Sequence, residues 1–390
     1  MNVPFCDLRV QHDALAGEIQ AAIARVIRSS AFILGREVSA FEEQFAAYIG
    51  TRFAIGTSNG TTALMVALQA LGVGPGDEVV VPAMTFFATA EAAALLGARP
   101  VFVDIDPKTL TMDPRLLSAK ITSKTKVILP VHLYGHPADL DPIRSIASRF
   151  NIKLLGDCAH AHGALYRGRR VGGIEDCAAF SFYPSKNLGC LGEAGMITTD
   201  DPAIARLCRL YRDHGSDRKY VHDCVGTNAR MEGLQAAVLA VKLPYLDTWN
   251  GERMSIARFF NERLSTLPLE LPREAKGSTH VYHVYQVRTS ARDEAVEYLT
   301  RMGVSVTLHY PVPMHLHGGF AYLGGEKGDF PVAEEIARTT LSLPCFPGMT
   351  EGQQSYVAGC VCSYFAQGAE TAAGDPGAAA QAGQAGTSGE

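Results

Sequence analysis

Lys186 lies in Phe180-Ser-Phe-Tyr-Pro-Ser-Lys-Asn-Leu-Gly, past an apolar run and a Pro-Ser turn, with glycines 189, 192 and 195 leading on to the next strand. An amine hemmed in by backbone and aromatic groups loses solvation, so its pKa falls and its lone pair becomes free to attack a carbonyl carbon. Read alone, a loop lysine is more often a solvated surface group. Asp157 closes the run Leu154-Leu-Gly-Asp-Cys-Ala-His-Ala-His-Gly. A carboxylate ending a buried apolar strand needs a cation; the same residue could equally cap a following helix. Gly60, Thr61 and Thr62 open a helix whose first N–H groups suit an anion, and Ser181 could add a hydroxyl donor, although an ordinary N-cap explains the same pattern. Phe86 follows a strand end, where an aromatic ring can face a flat ligand or simply fill the core. An amine for an aldehyde, an acid for a ring nitrogen, donors for a phosphate and a flat group over a ring are together what pyridoxal 5′-phosphate (PLP) requires.

Other candidates do less. Gly72-Val-Gly-Pro-Gly76 follows a helix and precedes a strand, the wrong polarity for a dinucleotide loop, and reads as a turn. His160 and His162 lie near Asp157, and His132 and His136 flank Tyr134. None has the fixed spacing of a zinc motif, so no metal site is expected.

The elements that must carry these residues alternate between strand and helix. Strands are expected at Phe53–Thr57, Glu78–Val81, Pro100–Asp104, Lys126–Val131, Lys153–Gly156 and Cys177–Phe180, and helices at Ala63–Leu71, Ala88–Leu96 and Leu140–Phe150. This alternation implies an α/β fold with a mainly parallel sheet covered on both faces. Such a sheet binds ligands at the carboxyl ends of its strands. Asp157, Ser181 and the turn after Thr57 all occupy that kind of position. From about Ala229 the chain becomes helical. A smaller α/β unit follows, with strands Val281–Val287 and Val304–His309 around a helix Arg292–Met302, closed by the segments Ala333–Thr340 and Gln353–Val361. The division expected is a large domain over residues 1–245, a smaller one over 246–365, and a disordered tail over 366–390, which has no large apolar side chain.

Composition excludes several classes. Of the 390 residues 47% are hydrophobic and 19% charged, which suits a soluble globular protein with a sizeable core. The net charge of -5 is spread without a long basic run, so neither nucleic acid nor an anionic membrane is an expected partner. No secretory signal or membrane span is read from the sequence. Nine cysteines at irregular spacings read as reduced thiols of a cytoplasmic protein.

Several phrases occur in order along the chain: Gly74-Pro-Gly-Asp-Glu-Val, Pro82-Ala-Met-Thr-Phe, Pro100-Val-Phe-Val-Asp-Ile-Asp, Pro130-Val-His-Leu-Tyr-Gly, Ser181-Phe-Tyr-Pro-Ser-Lys, Arg212-Asp-His-Gly and Gly226-Thr-Asn-Ala-Arg. From about Val3 to Val361 the chain resembles the DegT/DnrJ/EryC1/StrS family of PLP-dependent sugar aminotransferases. The resemblance implies the fold type I (aspartate aminotransferase-like) architecture and a homodimer with active sites at its interface. It implies Lys186 as the Schiff-base lysine, which also moves the proton, and Asp157 as the partner of the pyridine nitrogen. Gly60, Thr61 and Ser181 match phosphate contacts, Phe86 the stacking aromatic, and Asn228 an asparagine reaching the phosphate from the other subunit. Arg230 is a looser match to a substrate or donor contact. His160 stands where many members have Gln and is kept as a cofactor contact. Dehydratase relatives replace the lysine by His, so Lys186 favours transamination, with L-glutamate as donor in a ping-pong cycle. His309-Tyr-Pro-Val-Pro-Met-His315 resembles the segment of relatives that act at the 3-keto position of dTDP- or UDP-hexoses. His309 and Tyr310 are therefore candidate sugar contacts, or else packing groups at a domain junction. A 4-keto sugar, a cyclitol ketone, a dehydratase and a non-catalytic regulatory homologue are the alternatives.

Overall fold

The structure is a computed structural model that describes residues 1–373. Seven strands form the main sheet, in the order Phe53–Thr57, Gly195–Thr199, Cys177–Ser181, Lys153–Asp157, Thr125–Ile128, Glu78–Pro82, Arg99–Val103. Neighbours are parallel, except that Gly195–Thr199 runs antiparallel to both of its partners. The α/β reading with a mainly parallel sheet holds.

Both faces of this sheet are dry because successive side chains point to opposite sides. Val79 and Val81 enter one core with Leu155 and Ile197, while Val80 enters the other with Leu154 and Met196. Helices Gly60–Ala70, Ala88–Leu95 and Pro202–Arg212 contribute to the first core, and Arg36–Ile49, Leu140–Phe150 and Gly233–Lys242 to the second. Strand Thr125–Ile128 is shorter than expected; Pro130, which lacks an N–H, lies just beyond it.

Three strand ends that matter to function share one edge of the sheet. Thr57 and Ser181 both pair with Gly195, and Asp157 pairs with Ala179. A Cβ on Gly195 would lie 2.3 Å from the Asn59 carbonyl oxygen and 2.7 Å from Thr57 Oγ1, so only glycine lets these ends converge.

A third core gathers Ile256, Phe260, Leu299, Leu341, Leu343 and Val357 around the antiparallel pair Tyr285–Arg288 and Thr340–Leu343. Val3 is buried in this core and its N–H donates to Gly303 at 2.8 Å, so the first residues of the chain pack away from the large sheet.

Two expected strands differ here. The segment expected from Val281 becomes a strand only at Tyr285, because Val281 and Val284 instead bond to the carbonyls of Gly135 and Tyr134. Val304–His309 is not a strand; Val304 and Thr307 make isolated bridges to Val3 and Ser342. Helix Glu351–Ala373 also overruns the expected start of the tail at residue 366. Lack of large apolar side chains precludes a packed core, but Ala, Gln and Glu are strong helix formers that extend a helix already begun. The rest of that tail lies outside the described residues. Among the described residues, no helix is long and apolar enough to cross a membrane.

Candidate active site

A cavity of about 580 Å³ opens at the shared strand edge, and its walls include Gly60, Thr61, Phe86, Asp157, His160, Ser181, Lys186, His309 and Tyr310. Nine of the eleven residues expected to form a site therefore meet in one place. Asn228 and Arg230 are not among these walls. Asn228 is exposed and accepts from Arg230 Nε at 3.0 Å, and Arg230 pairs with Asp213 at 3.2 Å.

Asp157 is 5% exposed at the end of its strand. One carboxylate oxygen accepts from the Ala159 N–H at 3.1 Å and the other from the Thr89 hydroxyl at 2.8 Å. Burial raises its pKa, and the Ala159 and Thr89 donors, Lys186 and His132 offset this only in part. The helix-cap reading is thus met only by one short turn. The charge itself is poorly compensated, as expected of a carboxylate that awaits a cationic ligand.

Lys186 follows a tight turn in which its N–H bonds to the Tyr183 carbonyl at 2.9 Å. It is half-buried and not the surface group that its loop position alone favours. Loss of solvent lowers its pKa to about 8 despite attraction from Asp157 and Glu193. An amine in this range exchanges its proton near neutral pH.

The turn after Thr57 is first of all a helix cap. Asn59 caps helix Gly60–Ala70 through its side chain and the Thr62 N–H at 2.8 Å, and Thr62 Oγ1 accepts from the Asn59 N–H at 3.1 Å. That capping box occupies the third N–H and leaves those of Gly60 and Thr61 at the positive end of the helix. A Cβ on Gly60 would lie 2.7 Å from Ser181 Cβ, so the helix start abuts the serine directly.

Phe86 is 56% exposed and so is not a core residue; its ring lies 5.9 Å from that of Tyr310. His160 lies 4.5 Å from the His283 ring, and its Nδ1 faces the Tyr134 N–H at 3.3 Å, which leaves the proton on Nε2. Burial and then Lys186 push the His160 pKa well down, so the ring is neutral. His309 walls the cavity and packs against strand Thr340–Leu343, with Nδ1 2.9 Å from Ser342 Oγ.

Among the described residues His132, Cys158 and Glu175 approach closely enough to share an ion. Hydrogen bonding occupies His132 and Glu175 instead. His132 Nδ1 accepts from the Ala138 N–H at 3.0 Å, so Nε2 holds the proton and donates to Glu175 at 2.8 Å. Glu175 also accepts from the N–H groups of Gly172 and Ile174. No ring lone pair remains for a metal.

Several wall or support residues escaped the sequence reading. Thr85 and Thr89 bond to each other at 2.9 Å and Thr89 reaches Asp157; their i, i+4 spacing after a strand end was a usable signal. His283 and Glu193 also line the cavity. His283 arrives from a distant stretch of the chain, where no local pattern marks it.

A family model described as the DegT/DnrJ/EryC1/StrS aminotransferase family matches residues 13–362. The chain is 46% identical over 353 residues to the dTDP-3-amino-3,4,6-trideoxy-alpha-D-glucose transaminase of Streptomyces venezuelae, covering 90% of this chain and 93% of that protein. It is 45% identical over 368 residues to a pleiotropic regulatory protein of Geobacillus stearothermophilus, covering 94% and 99%. The crystal structure of S. venezuelae DesV in complex with a ketimine intermediate superposes with a TM-score of 0.91 at 45% identity, covering 93% of this chain and 98% of that one. This chain is a transaminase of the DegT/DnrJ/EryC1/StrS aminotransferase family.

Proposed function

We propose that this protein is a PLP-dependent sugar aminotransferase that moves an amino group from L-glutamate to a 3-keto dTDP- or UDP-linked deoxyhexose. The observation that carries the reading is the pair Lys186 and Asp157, an amine and an under-compensated buried carboxylate facing one cavity. The residues fit the cofactor: Asp157 lacks a full counter-charge, and two helix-start N–H groups stand beside Ser181. When bound, PLP supplies an electron-withdrawing ring and an aldehyde that carries the amino group between substrates.

The chain's own groups do the rest. Lys186 would hold the aldehyde covalently, and its free amine would take and return the proton at the reacting carbon as general base and then acid. Asp157 keeps the ring nitrogen protonated, and Thr89 and the Ala159 N–H fix the carboxylate's direction. Gly60, Thr61 and Ser181 would anchor the phosphate, Phe86 would offer a flat aromatic group to the ring, and neutral His160 would offer an Nε2–H donor. His309 and Tyr310 contact the sugar or its diphosphate. The S. venezuelae relative is named for a dTDP-linked 3-amino sugar, which supports the 3-keto assignment.

Asn228 and Arg230 stand outside their own chain's cavity, which fits a homodimer in which Asn228 completes the partner's phosphate site. Exposed Phe86, Leu191, Tyr220 and Val225 would be covered there. The nine free cysteines fit a reducing cytoplasm.

Purified protein with PLP is expected to show the visible absorbance of lysine-bound cofactor and to lose it when glutamate is added. A panel of 3-keto and 4-keto nucleotide sugars and cyclitol ketones should then restore it, fastest with a 3-keto dTDP- or UDP-sugar. Absence of the band, or indifference to every amino donor, would sink the assignment; preference for a 4-keto sugar or cyclitol would overturn the position alone.

A further inference from the structure

Lys242 ends helix Gly233–Lys242 and is only 1% exposed. Its Nζ donates to the carbonyl oxygen of Gly189 at 2.5 Å and lies 5.8 Å from the centre of the Trp249 ring. Burial lowers its pKa to about 8, and the groups that counter this are the thiols of Cys190 and Cys6 rather than a carboxylate. A cation so placed is costly, because an apolar side chain of similar length would fill the space without the desolvation penalty. What the lysine supplies in return is a donor for one particular carbonyl.

That carbonyl belongs to the turn that carries Lys186. Gly189 packs so tightly back onto the turn that a Cβ there would lie 2.1 Å from the Pro184 carbonyl oxygen. The same stretch is gripped on either side. Asn187 Nδ2 donates to Asn250 Oδ1 at 2.8 Å and to the Val281 carbonyl at 3.0 Å. Two helical turns before Lys242, and so on the same helix face, Gln235 Oε1 accepts from the Leu191 N–H at 3.0 Å. The chain beyond the reactive lysine is therefore held at residues 187, 189 and 191 by Asn250, Lys242 and Gln235. None of those three side chains lines the cavity.

We propose that Lys242 is a positioning residue for Lys186: its bond to the Gly189 carbonyl fixes the Pro184–Gly189 turn and so the direction in which Lys186 presents its amine. The proposal rests on the reading of Lys186 as the reactive amine. Lysine has four rotatable side-chain bonds, so its aim depends on where the backbone starts it. A displacement of about 1 Å at a reacting group is enough to cost on the order of 100-fold in rate.

The test uses Lys242→Met and Lys242→Arg as full-length holoenzymes loaded with PLP. Three quantities are followed: the visible absorbance of the lysine-bound cofactor, the single-turnover rate of its loss with glutamate, and the melting temperature. Lys242→Met, which fills the space without a donor, is expected to keep the cofactor and a KM for glutamate within about twofold, with its single-turnover rate lowered roughly 10- to 100-fold. Lys242→Arg, which restores a donor, should recover part of the loss. A folded, loaded Lys242→Met that turns over at the wild-type rate overturns the proposal, whatever its melting temperature. Should Lys242→Met not fold, Lys242→Leu, which also lacks a donor, carries the same comparison: a slowed single turnover supports the proposal and an unchanged one overturns it. Failure of the underlying reading looks different, because the wild-type protein itself would then show no glutamate-sensitive band, and both ideas would fall together.

Discussion

Two lysines in this chain, Lys186 and Lys242, have pKa values that burial lowers to about 8, yet only one of them lines the cavity. Lys186 has Asp157 and Glu193 as its countering charges and an open volume before it. Lys242 has thiols as neighbours, a carbonyl as hydrogen-bond partner and almost no exposed surface. A depressed pKa thus identifies a desolvated amine, not a reactive one. Reactivity also needs access and a second charged group placed to act on the same ligand. The lowered pKa frees Lys186 to attack, whereas at Lys242 it is the cost of putting a donor under a loop.

That contrast is open to direct attack. Lys186→Ala should abolish the covalent cofactor band and lower transamination by at least about 10³-fold, since the attacking amine and the proton carrier vanish together. Covalent capture by Lys242 in that variant, detected by borohydride reduction and peptide mapping, would break the distinction between the two amines. Asp157→Asn preserves the shape of the second group and removes its charge. It should slow the glutamate half-reaction by roughly 100-fold with the visible band retained, measured by stopped-flow absorbance.

The pH dependence of cofactor uptake isolates the amine. Below its pKa Lys186 is protonated and cannot attack the aldehyde, so the uptake rate of the apoprotein should rise about tenfold per pH unit up to roughly 8 and then level. The smallest effect concerns the support of Asp157. Thr89 lowers the Asp157 pKa through its hydroxyl. Thr89→Val should therefore raise that pKa further and weaken PLP binding about fivefold, read as a change in Kd, in line with a net loss of about 1 kcal/mol.

Much of this site was legible because its parts sit where local sequence has a strong grammar. Apolar runs that end in Asp157 or Ser181 and a Gly-Thr-Thr helix start mark ligand-binding strand ends in an α/β sheet before any contact is known. The segments around residues 281 and 304 read poorly for the converse reason. The Val281 and Val284 N–H groups serve the Tyr134 turn instead of a sheet ladder, and Val304 and Thr307 make only isolated bridges, so their apolar content says nothing of partner. Asn228 was legible only through the family resemblance, and within one chain it lies away from the cavity.

Sequence alone determined the alternating α/β order, the polar ends of the strands and the presence of one lysine, one aspartate and one anion turn suited to a single cofactor. Those features depend on periodicity and neighbouring residues, which are local. Only the tertiary structure decided that Lys186 faces a cavity while Lys242 is sealed, that Thr89 steers Asp157, and that the distant His283 packs beside His160. Burial and approach between residues far apart in sequence are set by how layers pack, and no window of the chain encodes them.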